Sequence, residues 1–205
     1  MSFIQLTDVQ RDAFREISNI GMGHAATALS QMIGKRVDLY VPRVMLIPIA
    51  EVPACLGGAE KMMVGIFLRI RGDARGSIML LFPEESACHL GNVLLGRDHA
   101  SLETDAETVS TLKEVGNILA SAYLNALGTL IRRTLIPSVP CLACDMAGAL
   151  VDTVLIDLGR HGDLALMVET EFGGEIGCEK NVRGHFFLIP DPETFEVFLS
   201  VAGLR

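Results

Sequence analysis

Two stretches of this 205-residue chain each set a carboxylate three residues before a carboxamide, Glu16 with Asn19 and Glu114 with Asn117. At ~100° per helical residue, Asp12, Glu16, Asn19 and Gly23 fall inside an arc of about 60°, and Ser110, Glu114, Asn117 and Ser121 fill the same arc of a second helix. The opposite arcs hold Phe14, Ile17 and Ala28 in one case and Leu112, Val115 and Leu119 in the other, so Glu and Asn are expected to face solvent. Asn costs roughly 0.7 kcal/mol relative to Ala inside a helix, and a face kept only for solubility would use Lys, Gln or Glu. A carboxamide there offers one acceptor and two donors without net charge, and the neighbouring carboxylate can bind a cation. Gly23 or Ser121, one turn beyond each Asn, leaves room for another body to come close.

The two stripes occupy matching places in a repeat. Residues 12–20 align with 110–118 at an offset of 98, and the match continues without a gap through Ile33 over Ile131 and Val41-Pro42 over Val139-Pro140. A proline follows each Asn by 23 residues, Pro42 after Asn19 and Pro140 after Asn117. The chain therefore reads as a single domain, residues 1–205, made of two copies at about 7–100 and 104–205. No Ser- or Gly-rich linker divides them, which predicts a shared core.

The elements that must hold the stripes follow from local signals. Thr7-Asp8-Val9-Gln10 and Thr104-Asp105-Ala106-Glu107 fit the capping box and open helices expected to run to about Ile33 and about Ile131. Alternating apolar residues predict a strand at Val37–Pro48, with a counterpart at Val139–Met146. Hairpins are expected from Met62–Arg69 with Gly76–Phe82 and from Leu164–Phe172 with Gly184–Ile189. Each leads through a proline and acidic residues into a helix, at Pro83-Glu84-Glu85 and Pro190-Asp191-Pro192-Glu193. The expected class is α+β with a pseudo-two-fold internal repeat, two long surface helices packed on a shared, mainly antiparallel sheet. Pro42 and Pro140 are expected to shape the loop below each long helix.

Composition removes whole classes of function. Half of the residues are hydrophobic and mean hydropathy is +0.40, enough for a core and far from a disordered regulator. A net charge of −8 and a pI near 5.1 argue against a general nucleic-acid binder. The longest apolar runs fall well short of the ~18 residues that span a bilayer, and residues 1–8 carry neither a basic nor a long apolar signal segment. Five cysteines, an odd number, point to buried thiols in a reducing cytoplasm.

Rival motifs are weaker. Gly21-Met22-Gly23-His24-Ala25-Ala26 matches a dinucleotide fingerprint, but it lies inside a capped helix with no strand before it. Cys141 and Cys144 form a lone CxxC, and residues three apart on a strand face opposite sides, so both are expected to be buried thiols with no metal. The five histidines show no ligand spacing.

The pattern Asp/Ser-x-x-x-Glu-x-x-Asn, followed by 22 residues and Pro, resembles the signature of the CheC/CheX/FliY family of chemotaxis phosphatases. Asp12, Glu16, Asn19 and Pro42 fill the first copy, and Ser110, Glu114, Asn117 and Pro140 the second. Two complete copies in one chain are similar to the CheC type within that family. The resemblance implies hydrolysis of the aspartyl phosphate on the response regulator CheY, with Asn19 and Asn117 orienting the attacking water and Glu16 and Glu114 engaging the regulator. It implies no cofactor in this chain, Mg²⁺ on the CheY partner, the receptor deamidase CheD as a second partner, no membrane insertion, and a cytoplasmic location. The competing class is a non-catalytic interaction module that binds CheD or acts as a flagellar-switch-like scaffold.

Overall fold

The structure, a computed structural model, describes residues 7–97, 105–157, 164–174 and 182–201. In chain order its elements are α1 (Asp8–Ile33), β1 (Val37–Pro48), a 3-10 turn (Ile49–Glu51), α2 (Val52–Cys55), β2 (Met62–Gly72), β3 (Gly76–Pro83), α3 (Glu84–Leu95), α4 (Ala106–Ile131), β4 (Leu135–Pro137), β5 (Cys141–Met146), α5 (Ala147–Asp157), β6 (Leu164–Gly174), β7 (Val182–Pro190) and α6 (Pro192–Val201). The helix α1 starts where a reciprocal cap satisfies its first free donors. Thr7 Oγ1 accepts from the Gln10 amide, and the Gln10 side chain accepts from the Thr7 amide. It stops at Gly34, whose φ of 66° is left-handed.

The cap of α4 differs from expectation. Asp105, not Thr104, occupies the N-cap and accepts from the Glu107 amide at 3.0 Å, while Thr104 lies outside the described residues. A carboxylate placed at this position also complements the helix dipole. At the far end Arg132 adopts φ 54° where the matching position in the first half is Gly34.

The strands form one antiparallel sheet in the order β1-β6-β7-β3-β2-β4, with β5 also paired to β2. Exchanging the half before α4 with the half that α4 opens (β1 with β5, β2 with β6, β3 with β7) leaves the order β1-β6-β7-β3-β2-β5 unchanged, and β4 has no counterpart among the described residues. The register follows: Val44 opposes Val168, and Leu142, 98 positions after Val44, opposes Ile66.

Alternation along the strands divides the interior in two. Ile78, Leu80 and Phe82 face a core closed by α1, α3 and α4, whereas Met79 and Leu81 face a second core closed by α2 and α5. Both halves contribute to both cores.

Three local expectations fail. The strand foreseen at Val139–Met146 begins only at Cys141, and Leu135–Pro137 forms a separate short strand against β2. Pro140 lies in the break between them, since proline cannot donate to a ladder. Pro42 does not shape a loop under α1 either: it sits inside β1, where the register against β6 shifts between Tyr40 and Arg43. Cys141 and Cys144 are exposed rather than buried, on a strand that among the described residues pairs with β2 alone. The short helices α2 and α5 had no strong cap or periodicity to announce them.

Candidate functional site

The two long helices pack against each other, and the site stripes are what that packing leaves outside. On α1 the buried side chains are Phe14, Ile17, Ser18, Gly21, Met22, Ala25 and Leu29, all on one face. Asp12, Glu16, Asn19 and Gly23 are exposed. On α4 the buried set is wider and includes Ala120, Tyr123 and Leu124 beside Leu112, Val115 and Leu119, because α4 contacts both α1 and α3. Ser110 and Glu114 remain exposed there, while Asn117 and Ser121 are half-buried. The structure thus places each Glu-Asn pair at the surface, with the second amide more enclosed than the first.

Glycines fix how closely the helices lie. A Cβ on Gly21 would stand 2.9 Å from the Tyr123 Cα, so α1 meets the backbone of α4 at that point. Burial pushes the Tyr123 hydroxyl up to about 12 against the opposing influence of the Ser18 hydroxyl. Ser18 Oγ itself donates to the Phe14 carbonyl at 2.7 Å. Ser18 and Gly21, close to Asn19 in sequence, are therefore held inward, which leaves Asn19 on the outward face of α1.

The prolines do not reach the amides' helix face as reacting groups. Pro42 is exposed in the β1 bulge and Pro140 is half-buried ahead of β5. Among the described residues no three His, Cys, Asp or Glu side chains form a cluster able to hold a metal ion. Gly21–Ala26, the dinucleotide-like run, lies within α1. On the opposite face of the sheet, His185 stands across from Glu169, and burial pushes its imidazole below its usual range.

Sequence reasoning missed one feature next to the first stripe. A trough of about 720 Å³ lies between the second half of α1 and the start of β1, lined by Gly23, Thr27, Ser30, Gly34, Val37 and Tyr40 among others. The Tyr40 side chain is 56% exposed, with its ring against Gly173 of β6, where an added Cβ would come within 2.7 Å of Cε2. An exposed tyrosine next to the Pro42 bulge was the available signal.

Two helices on one face of an antiparallel sheet, each presenting a Glu-x-x-Asn stripe, define a class with duplicated surface sites, and the chain belongs to the CheC-like family, which matches residues 9–46 and 109–142. Those two segments contain both stripes and both prolines. A Bacillus subtilis (strain 168) protein named CheY-P phosphatase CheC is 35% identical over 204 residues, covering 98% of this chain and 97% of its own. The crystal structure of Thermotoga maritima FliY shares the fold, with a TM-score of 0.75 at 19% identity and coverage of 98% of this chain and 100% of that one. A chain in the crystal structure of the CheX-CheY-BeF3-Mg+2 complex from Borrelia burgdorferi is also similar in fold, with a TM-score of 0.51 at 17% identity, covering 83% and 96%. Among the described residues no helix is long and apolar enough to cross a membrane.

Proposed function

We propose that this chain is a phosphatase that hydrolyses the aspartyl phosphate of the response regulator CheY, with Asn19 and Asn117 as the catalytic amides of two sites. The observation that carries the reading is the duplicated stripe: the same carboxylate and amide face outward on both long helices, and nothing in the fold requires either amide. A relative over nearly the whole chain that bears the name CheY-P phosphatase supports it.

The chemistry asks little of the protein. The amide oxygen accepts a hydrogen bond from water and holds that water in line with the phosphorus. As the water oxygen bonds to phosphorus, the bond to the aspartyl oxygen breaks. Inorganic phosphate leaves, and the regulator's carboxylate is regenerated. The Mg²⁺ that offsets charge on the phosphoryl oxygens belongs to the regulator, so this chain supplies no metal. Being neutral, the amide does not repel the phosphoryl anion. Glu16 and Glu114 pair with a cation beside the phosphorylation site and set the register of docking. Asp12, Ser110, Gly23 and Ser121 border the contact, and Pro42 within β1 and Pro140 just ahead of β5 support it.

The family resemblance also supports CheD as a further partner and the cytoplasm as the location. The test is phosphate release from phosphorylated CheY in the presence of Mg²⁺. Faster release with this protein than by the regulator alone is expected, and equal rates would overturn the reading in favour of a binding module.

A further inference from the structure

A cation accompanies the carboxylate and the amide in both copies. Arg15 directly precedes Glu16 and Lys113 directly precedes Glu114, at the same offset of 98 as the rest of the repeat. Counting from Asp8 and from Ala106, each is the eighth residue of its 26-residue helix. Each lies about 40° around the helix from the Asn four residues later, one turn along the same side. Lys113 is the one basic residue in α4. In α1 the other arginine, Arg11, is engaged by Asp8.

The needs of the helices do not account for these cations. A cation complements the helix dipole in the last turn, and neither helix carries one there. An ion pair along a helix needs a carboxylate three or four residues away. Arg15 has Asp12 at that spacing, but the counterpart of Asp12 is the uncharged Ser110. Around Lys113 those positions hold Val109, Ser110, Gly116 and Asn117, so the second copy keeps the cation without any such partner. Among the described residues neither Arg15 nor Lys113 makes an ion pair. Arg15 is exposed and Lys113 half-buried. What the two share is the amide one turn on.

We propose that Arg15 and Lys113 are the anion-binding residues of the two sites, each pairing with a non-reacting oxygen of the phosphoryl group that meets the neighbouring amide. This rests on the phosphatase reading. Helical side chains lean towards the N-terminus, so each Asn leans towards the residue four positions before it, with Cβ atoms roughly 5–6 Å apart. A guanidinium or ammonium on that residue reaches a phosphoryl group seated at the amide. Charge is called for at this place. Asp12 and Glu16 beside the first amide, and Glu114 beside the second, repel a phosphoryl anion, as does a chain of net charge −8. A charge-assisted hydrogen bond from the cation to a phosphoryl oxygen offsets that repulsion. The cation neither gives nor takes a proton, and the bonds that form and break remain those of the water and the aspartyl oxygen. Glu and its preceding cation thus read opposite charges on the regulator, and the cation makes docking depend on the phosphoryl group.

The experiment compares the wild type with the full-length double variant Arg15→Met/Lys113→Met. Phosphate release is measured against the concentration of phosphorylated CheY, and binding is measured to CheY with and without beryllium trifluoride on its aspartate, a stand-in for the phosphoryl group, in the presence of Mg²⁺. Methionine keeps a long side chain with good helix propensity and removes only the charge. The double variant is expected to lose at least tenfold in kcat/KM, and its preference for the beryllium-loaded form should fall by a similar factor. Arg15→Lys/Lys113→Arg should restore most of both, whereas Arg15→Gln/Lys113→Gln should not. Equal weakening of binding to the loaded and the bare form would assign the cations to general attraction between the proteins and overturn the proposal. Unchanged kcat/KM in an otherwise active protein also overturns it and leaves the phosphatase reading standing. A wild type that releases no phosphate overturns both.

Discussion

The first and second halves carry the same four-residue stripe in different surroundings. On α1 the stripe is fully exposed and runs on into an open trough; on α4 the amide is half-buried. An enclosed amide has less rotamer freedom to lose when it aligns water, which favours turnover, whereas an open groove adds contact area, which favours capture. If both stripes act as proposed, the two sites would divide these demands.

The sharpest break of that comparison is a pair of single substitutions. Asn117→Ala is expected to lower kcat about five- to tenfold at saturating CheY phosphate, while Asn19→Ala lowers kcat less and costs more at low regulator concentration. Equal losses at both concentrations would show that the surroundings do not matter. Glu16→Ala and Glu114→Ala should each raise KM by at most about fivefold, since exposed ion pairs are worth at most ~1 kcal/mol, and the effect should shrink as salt is added.

Stability gives a comparison within a single turn. Gly21→Ala is expected to destabilise by about 1–3 kcal/mol, because its methyl would press on the Tyr123 backbone. Gly23→Ala, two residues away, should stabilise by about 1 kcal/mol through helix propensity. Urea unfolding of both variants checks the opposite signs.

The two helix starts should differ in pH response. A hydrogen bond from the Thr108 hydroxyl, aided by backbone donors and Arg97, holds the Asp105 carboxyl below its ordinary value. A carboxylate lowered on folding contributes above its unfolded pKa of about 3.9, and the contribution fades as pH falls through the folded value. The Tm loss from Asp105→Asn should therefore be present at neutral pH and shrink on acidification. The loss from Thr7→Ala, a neutral cap, should not change in that way.

Much of this was legible before any coordinates. Helix ends at Ile33 and Ile131 and the strand at Val37–Pro48 fall where periodicity and Gly34 put them, since those signals are local. The outward stripe was legible for the same reason. What escaped was set by neighbours distant in sequence. Cys141 and Cys144 sit on a strand that among the described residues has one partner, and the half-burial of Asn117 depends on packing around α4 that its helical position alone does not report. The trough beside Gly23 lies where the Val37 amide donates to the Ser30 hydroxyl, a bond seven residues apart that no pattern of hydrophobicity reports. Helix α5, Ala147–Asp157, is apolar on a mixed pattern and takes its form from the second core it covers.

The most direct test of the central claim is the double variant Asn19→Ala/Asn117→Ala, assayed for phosphate release from phosphorylated CheY beside the wild type. If the two amides orient the attacking water, the double variant should keep its fold and its unfolding midpoint to within surface-mutation effects, and its activity should fall on the order of a hundredfold, to the regulator's own decay. A folded double variant that retains wild-type activity would contradict the account, because the shared stripe would then not be the catalytic apparatus.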